Sequence, residues 1–233
     1  MWPTSVRLAA PFAPRAPKEL EDLLAQLPCS SIVAHAKNDV IYNSQKPATS
    51  LYLIIAGRVK LSRIASAGGR VLIDIYHAEE FFGESCLLEP DCHGTEAVAL
   101  EESKIMVWPA TELGELISTR GRLGIALSQA LAQREMELSR RILSFSAERI
   151  DCRLARSIIR FSEHLGTAED GGAVRMMAMS HALLAEYVGT SREIVTHFMN
   201  QFRQQGYLLY SRKGIVVYPA PFKQWLIGSK RQD

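Results

Sequence analysis

Between Ser180 and Gln204 the chain runs through two short amphipathic stretches separated by a glycine, and few folds accept that pattern. Leu183, Leu184, Tyr187 and Val188 recur at three- and four-residue spacing, which gives the first stretch one apolar helical face. Ser180 offers a hydroxyl at the N-cap position. Gly189 follows the last apolar residue, where a left-handed backbone closes a helix. Thr190-Ser191-Arg192-Glu193 then has capping-box spacing, in which Thr190 and Glu193 each satisfy a free N–H. Ile194, Val195, Phe198, Met199 and Phe202 form the expected buried side of the second helix. Ser191, Arg192, Thr196, His197 and Gln201 are left facing outward.

Such a pair is either a helical hairpin inside a core or a helix-turn-helix, whose second helix enters the DNA major groove. The residues that follow favour the second reading. Gly206 to Tyr218 reads as two short strands around a turn at Arg212-Lys213-Gly214. A basic hairpin tip directly after a helix-turn-helix makes the winged form, with Arg212 and Lys213 placed to meet phosphates. The charge distribution agrees. Residues 1–145 carry 15 Lys/Arg against 17 Asp/Glu, whereas residues 146–233 carry 12 against 8. The basic excess therefore sits with the expected reading helix, as a phosphate-binding surface requires.

Upstream, Leu51–Ile55, Arg58–Ser62, Val71–Tyr76, Ala97–Leu100 and Lys104–Trp108 are strand-like runs punctuated by Gly57, Gly68-Gly69 and Gly83. Short, regularly spaced strands predict an antiparallel sandwich or barrel. From Thr111 to Phe145 the period becomes helical. Leu127, Leu131, Leu138 and Phe145 mark an apolar seam flanked by Leu123 and Ile142, and a coiled-coil-like contact with a second copy through Leu123, Leu127, Leu131, Leu138 and Ile142 would cover it. A further helix is expected over Ile150–His164, and a short strand over Val174–Met177. The fold class is therefore α+β. A flexible, proline-rich arm (1–18) precedes an antiparallel β-roll of jelly-roll type (19–110). A dimerisation helix (111–145) and a winged helix-turn-helix (146–233) follow.

Several function classes are disfavoured. No apolar run approaches the roughly 18–20 residues of a membrane span, and the N-terminus lacks the apolar core of a secretory signal, so a cytoplasmic protein is expected. Cys29, Cys86, Cys92 and Cys152 contain no Cys-x-x-Cys pair, which argues against a disulfide framework or a zinc site. Cys86 and Cys92 are close enough for a redox pair, but buried thiols in a reducing compartment are the simpler reading. No Gly-rich phosphate loop, nucleophile elbow or zinc-protease helix is present, so an enzyme is not expected.

A β domain, a long helix and a winged helix-turn-helix in this order resemble the cyclic-AMP receptor protein / fumarate-nitrate reduction regulator (Crp/Fnr) family. The likeness runs from about Leu20 to Tyr218. Its signposts are Asp39–Tyr42, Ser50–Gly57, Phe82-Gly-Glu84, Gly189–Glu193 and Gly214–Tyr218. The resemblance implies a homodimeric transcription regulator that acts on double-stranded DNA with a roughly palindromic operator and has RNA polymerase as a further partner. Two reading helices would enter major grooves about 34 Å apart. The implied DNA-binding set is Ser180, Thr190, Ser191, Arg192, Glu193, Thr196, His197, Gln201, Arg212 and Lys213. Of these, Arg192, Glu193 and His197 match base-facing positions of relatives. His197 departs from the arginine that many of them carry.

The implied effector pocket comprises Phe82, Gly83, Glu84, Ser85, Cys86, His93 and Thr95, with Leu138 and Ser139 from the helix. Nucleotide-binding relatives pair the glutamate with an arginine about ten residues on, which neutralises a cyclic phosphate. That position falls on Gly94, and the Thr-Ser pair of relatives falls on Leu138-Ser139. Cyclic AMP is therefore not expected, and Glu84 is expected to be structural. Only Cys29 lies near the region of an N-terminal cysteine cluster, so no iron–sulfur cluster is expected. A haem held by His35, His77 or His93, a thiol switch at Cys86 or Cys92, and another small effector stay open. So does a cyclic-nucleotide-binding-like module that acts mainly through protein contacts.

Overall fold

The computed structural model describes residues 31–64, 69–88 and 95–229. The arm, Cys29, Gly68, Cys92, His93 and Gly94 lie outside the described residues. Eight strands fill the N-terminal part: β1 (Ser31–His35), β2 (Val40–Tyr42), β3 (Ser50–Ala56), β4 (Arg58–Ile64), β5 (Arg70–His77), β6 (Phe81–Phe82), β7 (Thr95–Ala99) and β8 (Ser103–Pro109). They form two antiparallel four-stranded sheets, ordered β1-β8-β3-β6 and β2-β7-β4-β5.

The run Leu51–Ile54 is continuously apolar because both faces of its sheet are covered. Successive side chains of a strand point to opposite faces. Tyr52, Ile54, Phe82 and Ile105 accordingly fill the space between the two sheets, with Val59, Leu61 and Tyr76 opposite them. Leu51, Leu53, Phe81 and Trp108 point the other way, into a second core with helical residues. Gly83 makes the turn after β6 with φ 83°, and a Cβ there would stand 2.5 Å from Tyr52 Cδ2.

The single long helix expected over 111–145 is two helices, α1 (Ala110–Thr119) and α2 (Gly121–Ala147). They break at Arg120, whose φ −124° and ψ 72° are not helical. Leu113 of α1 and Leu123, Ala126 and Leu127 of α2 all enter the core behind Leu51 and Trp108. A chain that buries both segments against one sheet face must fold back between them. Leu123 and Leu127 are 2% and 5% exposed within their own chain, and Leu131 packs on the same core. The expected dimer seam is corrected on this point: its first half faces the chain's own sheets.

Among the described residues, four α-helices and a third sheet follow. α3 (Ile150–Leu165), α4 (His181–Val188), α5 (Arg192–Gln204) and α6 (Pro219–Ser229) surround a sheet ordered β11-β12-β10-β9. Its strands are β9 (Thr167–Ala168), β10 (Val174–Met176), β11 (Leu208–Ser211) and β12 (Gly214–Val217). Leu72 and Ile75 of β5, both fully buried, belong to the core of this C-terminal unit, together with Leu154, Ile158, Leu184 and Met199. Strand β5 is thus a shared wall between the two halves.

Candidate nucleic-acid interface and sensor cavity

Ser180 caps α4 as expected, its hydroxyl accepting from the Leu183 N–H at 3.1 Å. Gly189 closes that helix at φ 72°, and its missing Cβ would lie 3.1 Å from the Phe145 ring of α2. The cap of α5 is Ser191, whose hydroxyl accepts from the Ile194 N–H at 3.3 Å, and not Thr190. The Thr190 N–H is already bonded back to the Ala185 carbonyl as part of the preceding helix end. Glu193 accepts from its own backbone N–H and from Ser191, and these bonds lower its pKa.

Val195, Met199 and Phe202 are buried and Phe198 is half-buried. Ile194 is 37% exposed, which corrects its place on the buried side. Arg192, Glu193, His197 and Gln201 stand on the exposed face of α5. Thr196 is half-buried and not free to read bases. Its hydroxyl donates to the Arg192 carbonyl at 2.8 Å and meets His181 Nδ1 at 2.8 Å. One hydroxyl hydrogen serves one acceptor, so His181 Nδ1 is the donor in that contact. Burial, with Arg192 adding to it, lowers the His181 pKa and favours this neutral ring.

The wing attaches to α5 through Tyr210, whose hydroxyl donates to Asn200 Oδ1 at 2.9 Å. Ser211 pairs directly with Gly214, so the turn is the two residues Arg212-Lys213, both exposed. Gly214 belongs to the strand instead. A Cβ there would stand 2.6 Å from the Met176 carbonyl oxygen.

A cavity of about 310 Å³ lies between β4, β5, α2, α3 and α4. Arg134, Arg140, Arg141, Arg153, Arg156 and Arg160 line it, against the carboxylates Asp74, Glu84 and Glu137. Arg134 reaches in from α2. Its Nη1 is 3.1 Å from Glu84 Oε1, and its Nη2 donates to the Phe81 carbonyl. The guanidinium stands 3.9 Å and 4.7 Å from the ring centres of Phe81 and Tyr76. Burial opposes this charge, but Tyr76, Glu84 and Glu80 outweigh it and raise the Arg134 pKa. One helical repeat on, Arg141 donates to the carbonyls of Leu72, Ile73 and Tyr187, at 2.7, 2.9 and 2.7 Å. Arg160 of α3 grips both oxygens of Asp74, at 3.0 and 2.6 Å, and Glu137 at 2.9 Å.

Residues 32–120 match the cyclic nucleotide-binding domain family, and residues 152–219 match the Crp-like helix-turn-helix domain family. The chain belongs to the Crp/Fnr family of DNA-binding transcription regulators. It is 25% identical over 182 residues to the CRP-like cAMP-activated global transcriptional regulator of Mycobacterium tuberculosis, covering 78% of this chain and 81% of the relative. It is 27% identical over 166 residues to the transcriptional regulator SdrP of Thermus thermophilus, covering 70% and 76%. Among solved structures, FixK2 from Bradyrhizobium japonicum shares the fold with a TM-score of 0.72 at 20% identity, covering 85% of this chain and 97% of that one.

Among the described residues of this Crp/Fnr chain, two of the effector residues suggested by sequence line this cavity. Glu84 and Leu138 line it. Phe82 is fully buried and stacks on Tyr52 at 5.0 Å between the sheets. Ser85 and Cys86 lie in a 3₁₀ turn (Glu84–Leu87), where burial and then Glu84 push the Cys86 thiol up to about 11. Thr95 begins β7 opposite Arg63. Ser139 donates to Glu135 at 2.7 Å on the outside of α2. His35 ends β1, half-buried, with a pKa lowered by burial, and His77 ends β5. Among the described residues, no histidine lines the cavity. Sequence reading missed Arg134 and Arg141. Their signal is positional: both interrupt the apolar seam of α2 at seven-residue spacing, where a leucine would otherwise be expected. Among the described residues, no helix is long and apolar enough to cross a membrane.

Proposed function

We propose that this chain is a homodimeric, sequence-specific regulator that reads a roughly palindromic operator. The exposed polar face of α5 carries that reading: Arg192, Glu193, His197 and Gln201 beside a basic wing tip. Arg192 suits a guanine through O6 and N7, and Glu193 a cytosine amino group. Ser180, Ser191 and Thr190 lie at helix ends, where hydroxyls and backbone N–H groups meet phosphates. Binding should weaken steeply with salt as neutralised phosphates regain their counterions.

The dimer contact is proposed on the side of α2 that its own sheets leave open. Ile125, Met136 and Leu143 are exposed there, with Ala132 between them at helical spacing. A second copy would cover these side chains as a coiled-coil seam. The effector is proposed to be an anionic small molecule other than cyclic AMP. Six arginines face three carboxylates in the cavity, and the Glu84 that would hold a ribose is already engaged by Arg134.

The test is selection of bound DNA from a random pool by the full chain, with and without a panel of phosphorylated and dicarboxylate compounds plus cyclic AMP. A palindromic consensus, sharpened by an anion of the panel, is expected. An unpatterned pool would overturn the operator reading. Cyclic AMP alone raising affinity or thermal stability would overturn the effector reading.

A further inference from the structure

Two histidines and a glutamate meet where the sensor sheets touch the DNA-binding unit. His77 ends β5, Glu80 stands in the turn that follows, and His164 lies in the last turn of α3. Glu80 Oε2 is 3.8 Å from His77 Nε2 and 3.3 Å from His164 Nε2. The three candidate ligand atoms all lie within 4.8 Å of one another. The imidazole rings face each other at 4.8 Å with a 52° tilt.

Each group is already oriented. His77 Nδ1 sits 2.6 Å from the Ala78 carbonyl, which can only accept, so Nδ1 carries the proton and Nε2 presents a lone pair. A backbone contact of this kind is what fixes the tautomer of a metal-ligating histidine. The His77 N–H holds Glu80 Oε2 at 2.8 Å. His164 Nε2 is shielded from water, with Glu80 Oε2 as its neighbour at 3.3 Å. Arg160, the neighbouring cation, is engaged by Asp74 and Glu137.

Two imidazole nitrogens and a carboxylate oxygen are a ligand set of first-row transition ions. Bonds of about 2.0–2.2 Å at tetrahedral angles put such atoms roughly 3.3–3.5 Å apart, so the Glu80 separations of 3.8 and 3.3 Å are near that spacing and the two imidazoles would have to draw together around an ion. We propose that His77, Glu80 and His164 bind a divalent transition ion of the zinc class, with a fourth position open to water or another donor. The ion would join β5 to α3 and hold the DNA-binding unit against the sensor in the arrangement seen here. This assignment is independent of what α5 reads.

The full chain, stripped with a chelator, is titrated with Zn(II) by calorimetry and with Co(II) by absorption. One ion per chain is expected, at micromolar affinity or tighter, with a Co(II) spectrum free of thiolate charge-transfer bands. His77→Gln and His164→Gln should each weaken binding at least about tenfold, since loss of even an outer partner of a metal site costs that much. His77 is half-exposed and its variant should fold, which circular dichroism checks. Absence of binding at micromolar Zn(II), thiolate bands, or undiminished affinity in His77→Gln would each overturn the assignment.

Discussion

At the scale of single residues, Arg192 and Cys86 carry the clearest expectations. Arg192 is exposed at the start of α5, held by a cap that leaves its guanidinium free for a base edge. Arg192→Ala should weaken binding to the selected operator by about 1–3 kcal/mol and relax preference at one base position. Competition binding against single-base variants checks this, and an unchanged preference would remove α5 from the reading role. Cys86 is 8% exposed and its thiol is pushed up to about 11. Less than roughly a thousandth of it is thiolate at neutral pH, so it should resist alkylation in the folded protein and react on denaturation. Rapid labelling of native Cys86, followed by mass spectrometry, would revive it as a thiol switch. The cap shows how far residues alone can be read. Ser180 and Gly189 behave as their chemistry dictates, whereas Thr190 and Ser191 are chemically equivalent candidates. The choice between them rests on a backbone bond from Thr190 to Ala185 that only the folded turn makes.

At the scale of elements, α2 has two apolar faces, one buried against its own sheets and one exposed. Leu127→Ala removes a side chain buried against Trp108 and Leu51, and should destabilise the protein by about 2–5 kcal/mol in thermal or denaturant unfolding. Leu143→Glu touches no core in its own chain, being 67% exposed. It should leave secondary structure intact and shift the protein from dimer to monomer in light scattering. A dimer that survives Leu143→Glu and dissociates only with unfolding would move the contact elsewhere. The helical period of α2 was legible, as were β3, β4, β5, β7 and β8. β1 escaped because its side chains are mostly exposed and show no alternation, and β2 and β6 because two or three residues carry no pattern. α6 escaped because Pro219 and Pro221 read as breakers, yet proline is accommodated in a first turn, where N–H groups have no helical partner.

At the scale of the whole molecule, β5 joins the N-terminal sheets to the C-terminal unit. Its Leu72 and Ile75 are buried in the C-terminal core, its carbonyls are held by Arg141, and its Asp74 is gripped by Arg160. Asp74→Ala would leave Arg160 half-paired at that seam. Removing one partner of such a buried pair typically costs about 3–5 kcal/mol, and the partial exposure here places the loss at or below the lower end. The docking of α3 and α4 on β5 should loosen. Hydrogen exchange should rise in β5, α3 and α4, and operator affinity should become less dependent on effector. Unchanged exchange in α4 would show that β5 does not restrain the reading unit.

By itself the sequence determined the order of the matched domains, the winged helix-turn-helix with an exposed polar face on its second helix, and the family. These are local matters, set by periodicity, caps, turn residues and charge within a few turns of chain. Only the tertiary structure decided which face of α2 its own sheets cover, that Arg134 occupies Glu84, and that His77 and Glu80 meet His164. Those pairings join residues roughly 50 to 90 positions apart. Two apolar helix faces, or two scattered histidines, are equivalent in one dimension until packing selects their neighbours.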